Sequence, residues 1–193
     1  VLEMAAADAG GLFRSLDFFD TMDGGLLRIN GSREGIARTN ALRGNIEIKD
    51  FKLIDAPVLA KLLTVASLTG IVNVLSGEGI AFKRAKGDFE AIEGRISSDL
   101  LRIYGSALGL TAQGSVDIDQ NLADLRGTVV PAYAVNQVLG AIPLLGDILT
   151  GGEGEGVFAV TYTMTGPLDD PVVAVNPLAA LAPGFLRGLF DVG

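Results

Sequence analysis

The sequence predicts an α+β fold in which a mainly antiparallel sheet carries apolar helices on one face. Three observations point there. Between Gly79 and Val130, brief alternating runs are separated by glycine at strand-plus-turn spacing, the pattern of an antiparallel meander. Leu108, Leu110 and Ala112 fall on one side of ALGLTAQG, and Phe158, Val160, Tyr162 and Met164 on one side of VFAVTYTMT, so one side of the sheet is apolar. The stretch 57–75, PVLAKLLTVASLTGIVNVL, has Lys61 as its only charge and is apolar around most of a helical circumference.

Taken in order, Met4 to Met22 suggests a helix, with Leu12, Phe13, Leu16, Phe19 and Met22 at three- and four-residue steps. Gly24 to Gly31 reads as a short strand between glycine turns. In GNIEIKDFKL, Ile46 and Ile48 share one face while Phe51 and Leu53 have the opposite phase, which predicts a bulge or bend near Lys49 and Asp50. Asp55-Ala56-Pro57 reads as a helix start, an acidic cap before a first-turn proline. Such an apolar helix is expected to be buried on several sides or to lie against lipid.

The meander divides into GIAFKRAKG, DFEAIEG, RISSDLLRIYGS, ALGLTAQGSVDI and ADLRGTVV. After it, Val138, Ile142, Leu145 and Leu149 predict a helix restarted at Pro143 and ended by Gly151 and Gly152. VFAVTYTMT is the clearest strand; GPLDDP is a turn, VVAV a short strand, and Asn176-Pro177 opens a last helix to about Phe190. The 193 residues fit one domain: 1–22 as helix or linker, 24–130 as strands, apolar helix and meander, and 131–190 as helix, strand pair and terminal helix. The opening VLEMAAADAGG, with neither an initiator Met nor a signal-like order, leads us to expect a C-terminal fragment of a longer protein.

Composition narrows the function. Hydrophobic residues make up 49 % and mean hydropathy is +0.42, a surplus that needs a core, a groove, a partner or a membrane surface. The net charge is −8 and no block of basic residues occurs, which argues against nucleic acid as a partner. There is no cysteine and no histidine, so thiolate chemistry and the commonest general base and metal ligand are missing. The charge-free window 127–146 has the length of a membrane span, but Pro131, Asn136, Gln137, Gly140 and Pro143 break it, and a strand end followed by a short amphipathic helix reads better.

The motifs that suggest chemistry fail on inspection. GGEGEG, Gly151 to Gly156, has no lysine, its Glu153 and Glu155 repel phosphate, and it joins helix to strand rather than strand to helix. Asp117 to Asp124 begins like a calcium loop, yet the sixth position is Leu122 and the twelfth Thr128, so a solvated turn is expected. Asp169-Asp170 reads as a turn. No carboxylate pair must converge and no nucleophile has a recognisable setting. The sequence argues against an enzyme, and implies no cofactor and no metal site.

APVLAKLLTVASLTGIVNVLSGEGIAF, then GSALGLTAQGSVDI, then the long block from Leu125 through NPLAALAPGFLRGLF, resemble the C-terminal region of the AsmA-like proteins of Gram-negative bacteria. The resemblance covers about Leu42 to Phe190. It implies the end segment of a long, curved β-groove with an apolar inner face, in a periplasmic protein held to the inner membrane by an N-terminal helix outside this chain. It also implies a bridge-like lipid-transfer role in phospholipid movement toward the outer membrane and in outer-membrane integrity. The implied partners are phospholipid acyl chains, envelope proteins and, through the upstream anchor or the apolar C-terminal helices, a membrane.

For such a groove the candidate lipid-facing positions are Leu108, Leu110, Phe158, Val160, Tyr162 and Met164. Each also fits ordinary core beneath the helices. A structural or docking module that closes the groove and holds envelope proteins is the alternative function.

Overall fold

The computed structural model describes residues 1–16, 19–33, 41–66, 68–131 and 159–176. Within them a single open antiparallel sheet runs in plain sequence order: β1 (Leu2–Ala6), β2 (Met22–Arg33), β3 (Leu42–Leu53), β4 (Ile80–Ile92), β5 (Arg95–Gly105), β6 (Leu108–Asp117), β7 (Leu122–Pro131), β8 (Val160–Pro167) and β9 (Val172–Asn176). Three short helices accompany it: α1 (Ala9–Ser15), α2 (Pro57–Val65) and α3 (Thr69–Ser76). The predicted antiparallel sheet with apolar helices on one face is what forms.

Cross-strand register separates the two faces cleanly. Ala6, Leu27, Ile48, Ala85, Ile103, Leu110, Val129 and Val160 are successive partners, an apolar row across eight strands. One residue away, Arg28, Glu47, Lys86, Arg102, Thr111, Thr128 and Thr161 form a row on the other face that is polar throughout. Side chains alternate with period two, so the register that aligns one row aligns both.

The bend predicted at Lys49 and Asp50 is present, and it extends over three strands. Burial changes phase between Met22 and Gly25 on β2, between Ile48 and Phe51 on β3, and between Phe82 and Ala85 on β4. Asp50 has φ of 51°, facing Gly24 and Gly25 at 65° and 99°, and the β4–β5 register slips between Phe82 and Arg84. An aligned irregularity of this kind puts both phases of each strand on the same face and sharpens the local twist. Phe51 and Phe82, beyond the bend, stack with ring centroids 5.3 Å apart.

The sheet curls around its helices. α2 directly follows β3 yet touches β9, and Lys61 Nζ lies 2.6 Å from Asp170 Oδ1 in the β8–β9 turn. In a flat sheet, six strand spacings of ~4.8 Å would part β3 from β9 by ~29 Å. A nine-residue helix is only ~13.5 Å long, so contact requires the sheet to curve inward. Its concave side is the apolar one. Leu62 and Leu63 of α2, Leu68 and Leu75 meet Leu27, Ile48, Phe82, Leu108, Val129 and Val160 there in one core.

Several expectations are corrected. Met4 to Met22 is not one helix: Leu2–Ala6 pairs as an edge strand with β2, α1 is confined to Ala9–Ser15, and Met22 opens β2. Ladder pairing overrides the helical preference of this Ala-rich stretch. The Asp8 carboxylate then caps α1 by accepting from the Gly11 N–H at 2.9 Å. The stretch 57–75 divides into α2 and α3, with the Leu68 N–H turned back to the Leu63 carbonyl. Two short helices packed on each other bury more of an all-round apolar sequence than one straight helix could. Ala56, not Asp55, is the N-cap of α2, without a side-chain cap bond, although Pro57 does occupy the first turn. Gly87 does not end a strand either: β4 runs through it, and β5 passes so close that a Cβ there would sit 3.0 Å from Leu101 Cα.

The predicted helix around Val138 to Leu149, the GGEGEG connector, Phe158 and the terminal helix lie outside the described residues. Of the charge-free window, Gly127–Pro131 is the end of β7, as expected for a strand end. No helix among the described residues is long and apolar enough to cross a membrane.

Candidate functional site

The concave face gathers the candidate positions that are described. Leu110 and Val160 are joined through Val129 in one cross-strand row, while Tyr162 and Met164 follow along β8. Leu108, Val160, Tyr162 and Met164 are 1 %, 4 %, 7 % and 8 % exposed, and Leu110 is half-buried. They belong to the same core as the helix residues Leu62, Leu63 and Leu75. The face is apolar and continuous, and α2 and α3 pack into its core while Ile103 and Leu110 stay half-buried.

Tyr162 holds this region in register. It is the cross-strand partner of Gly127, and its hydroxyl donates to the Thr111 carbonyl, 2.9 Å away on β6. A Cβ at position 127 would lie 1.9 Å from the Thr111 oxygen and 2.9 Å from the Tyr162 hydroxyl, so only glycine admits this approach. On the other face the Thr128 N–H donates to Thr111 Oγ1 at 3.0 Å. Burial pushes the Tyr162 hydroxyl up from its ordinary 10 to about 12, because a phenolate would lose its hydration there.

At one end of the sheet three hairpin tips interlock. The Ile118 N–H donates to the Gly94 carbonyl at 3.0 Å, the Leu168 N–H to the Asn121 carbonyl at 3.2 Å, and Asn121 Nδ2 to Asp169 Oδ1 at 3.3 Å. Asp117, only 7 % exposed, accepts from the Gln120 N–H at 2.9 Å and lies 3.6 Å from Arg95. Asp117 to Asn121 is thus a turn stabilised by its own first carboxylate, as expected. Asp169 and Asp170 also lie in a turn, each engaged with a different neighbour. No group of three or more acidic residues able to hold a metal ion occurs among the described residues.

The convex face carries a shallow polar trough of about 770 Å³ over β5 to β8, lined by Ser97, Asp99, Gln113, Asp124, Arg126 and Thr163 among others. In the amide orientation that satisfies both neighbours, Gln113 donates to the Asp99 carbonyl at 3.2 Å and accepts from Arg126 Nε at 2.6 Å. Gln113, Arg126 and the Asp99 carbonyl thus link β5, β6 and β7. They brace the sheet.

Sequence reasoning missed one feature of this face. Arg28, Lys49, Arg84, Lys86 and Arg102 come together on it from four different strands. No basic run announces them, because each strand contributes only alternate residues; the usable signal was the period-two placement of Lys49 beside Glu47 and of Arg84 before Lys86.

No protein-family model matches the chain, and neither the curated proteins nor the solved structures contain a match to it.

Proposed function

We propose that this chain is the closed end of a longer apolar β-groove, in a periplasmic envelope protein anchored to the inner membrane. That protein moves phospholipid toward the outer membrane and sustains outer-membrane integrity. The segment works without catalysis. Its part is to cap the groove and to give envelope proteins a rigid docking surface. The observation that carries this reading is the concave face: one apolar row crosses eight strands, yet α2 and α3 occupy it.

The physics favours a division of labour. Each CH₂ of an acyl chain exposed to water costs about 0.8 kcal/mol, so an apolar trough lowers the cost of transit with no covalent step. A trough must also end, and helices that bury Leu62, Leu63 and Leu75 in the core of the sheet end it. Toward β1 the apolar face becomes accessible, with Met4 41 % exposed, which is where strands placed upstream would continue the lipid path.

Photo-crosslinking in cells tests this. A benzophenone side chain at Met4 is expected to capture phospholipid, and one at Leu110 or Met164 is not. Lipid adducts at Leu110 or Met164 would make the segment a conduit rather than a cap, and no lipid at any of the three would end the lipid-transport reading.

A further inference from the structure

We propose that the convex face of β2–β5 binds the surface of an anionic phospholipid membrane. The argument rests on charge placement and is independent of what the concave face holds. Two adjacent cross-strand rows define the patch: Arg28, Glu47, Lys86, Arg102 and, two residues along, Leu26, Lys49, Arg84, Tyr104. Within these two rows five cations face one carboxylate, with Asp88 one row further along β4, in a chain whose net charge is −8.

Among the described residues the cluster is only partly neutralised. Glu47 is held by Arg84 at 3.1 Å and Lys49 at 3.4 Å. Arg28, Lys86 and Arg102 are exposed and form no ion pair among the described residues, whereas Arg43 and Lys83 nearby pair with Glu90 and Asp50. Lys86 and Arg102 are direct partners across the β4–β5 ladder, an arrangement of like charges that costs stability. A cost that the described residues leave uncompensated points to an anionic partner.

The shape of the patch selects the partner. Four strands spread the cations over ~14 Å, with the two rows ~7 Å apart, a broad lattice rather than a cradle for one phosphate. Leu26, 52 % exposed, and the half-buried Tyr104 flank the cations on the same face. An apolar side chain beside an aromatic and a basic cluster suits the headgroup boundary of a bilayer, where each has a partner. A phosphodiester backbone offers Leu26 nothing.

Flotation of the whole chain with vesicles tests the proposal, using phosphatidylcholine alone or with phosphatidylglycerol. Binding is expected only with phosphatidylglycerol, and is weakened by high salt. At about 1 kcal/mol per cation at such a surface, Lys86→Gln with Arg102→Gln lowers affinity roughly 30-fold. Leu26→Ser also lowers it, and Lys61→Gln, near the opposite end of the helix layer, does not. Removing the Lys86–Arg102 repulsion leaves the melting temperature equal to or above that of the wild type, so loss of binding is not loss of fold. The proposal is overturned by equal binding to phosphatidylcholine, by unchanged affinity in the double variant, by release with inorganic phosphate but not with sodium chloride of equal ionic strength, or by duplex DNA binding as tightly as the vesicles.

Discussion

The Lys61 ammonium lies 2.6 Å from the Asp170 carboxylate, although 109 positions separate the two in sequence. The pair marks where α2 reaches the far side of the curled sheet. It does not supply the force that holds α2 there. Its side chains are 40 % and 81 % exposed, and such ion pairs contribute about 0–1 kcal/mol. Leu63, on the same helix and fully buried, is the real anchor. Lys61→Ala is expected to cost under ~1 kcal/mol in denaturant unfolding, and Leu63→Ala about 2–5 kcal/mol. Equal effects would mean that α2 is held by charge.

The bend across β2, β3 and β4 makes a second prediction. Gly25 has φ of 99°, and a Cβ there would lie 3.0 Å from Phe51 Cβ and 3.1 Å from Ile48 Cγ2. Gly25→Ala combines backbone strain with crowding between two core residues, and about 1–3 kcal/mol of destabilisation is expected from the strain alone. Asp50→Gly is the informative counterpart. Glycine relieves the positive φ at 51° but gives up the exposed pair with Lys83, so the net change should stay within about 1 kcal/mol. A large loss in Asp50→Gly would show that the carboxylate, not the bend, sets the geometry.

This bend was legible in the sequence because the pattern breaks phase: Ile46 and Ile48 fall on one side, Phe51 and Leu53 on the other. The meander was legible for the same reason, since alternation and turn glycines are local signals. Gly87 misled because a glycine inside a long strand and a glycine in a turn look alike until the neighbouring strand is known. The edge strand Leu2–Ala6 was hidden because its composition is helical and its ladder partners, Leu27 to Gly31 on β2, lie 21 to 29 residues on. Long-range closure was the least readable feature. Nothing near Lys61 announces Asp170, and nothing within any one strand announces that Arg28, Lys86 and Arg102 share a row.

Asp117 carries a prediction at the hairpin tips. Its buried carboxylate accepts from the Gln120 N–H and faces Arg95. Asp117→Ala leaves that N–H without its acceptor, at about 1–3 kcal/mol. Asp117→Asn keeps an acceptor oxygen and should recover most of the loss. Hydrogen exchange at Gln120 reads the local effect directly: faster exchange is expected in the alanine variant and near-native exchange in the asparagine variant. Identical exchange in all three proteins would remove the turn-capping role.

Tyr162 links the buried face to pH. Its hydroxyl donates to the Thr111 carbonyl and is pushed up to about 12, against about 10 in the unfolded chain. Below pH 10 the group is protonated in both states and stability is complete. Between 10 and 12 the unfolded tyrosine ionises while the folded one keeps its proton, so the unfolded state gains, and the loss levels off above 12. Two pH units correspond to on the order of 2–3 kcal/mol. Tyr162→Phe forfeits one hydrogen bond, about 1 kcal/mol at neutral pH, but has no proton to lose. The two stability curves should therefore cross: wild type is more stable near neutrality, and the phenylalanine variant more stable as pH approaches 12. Alkaline titrations elsewhere in the chain are common to both proteins and cancel in the difference. Parallel curves from urea unfolding across that range would show that the Tyr162 hydroxyl meets water in the folded protein, and with it that the concave face is open there.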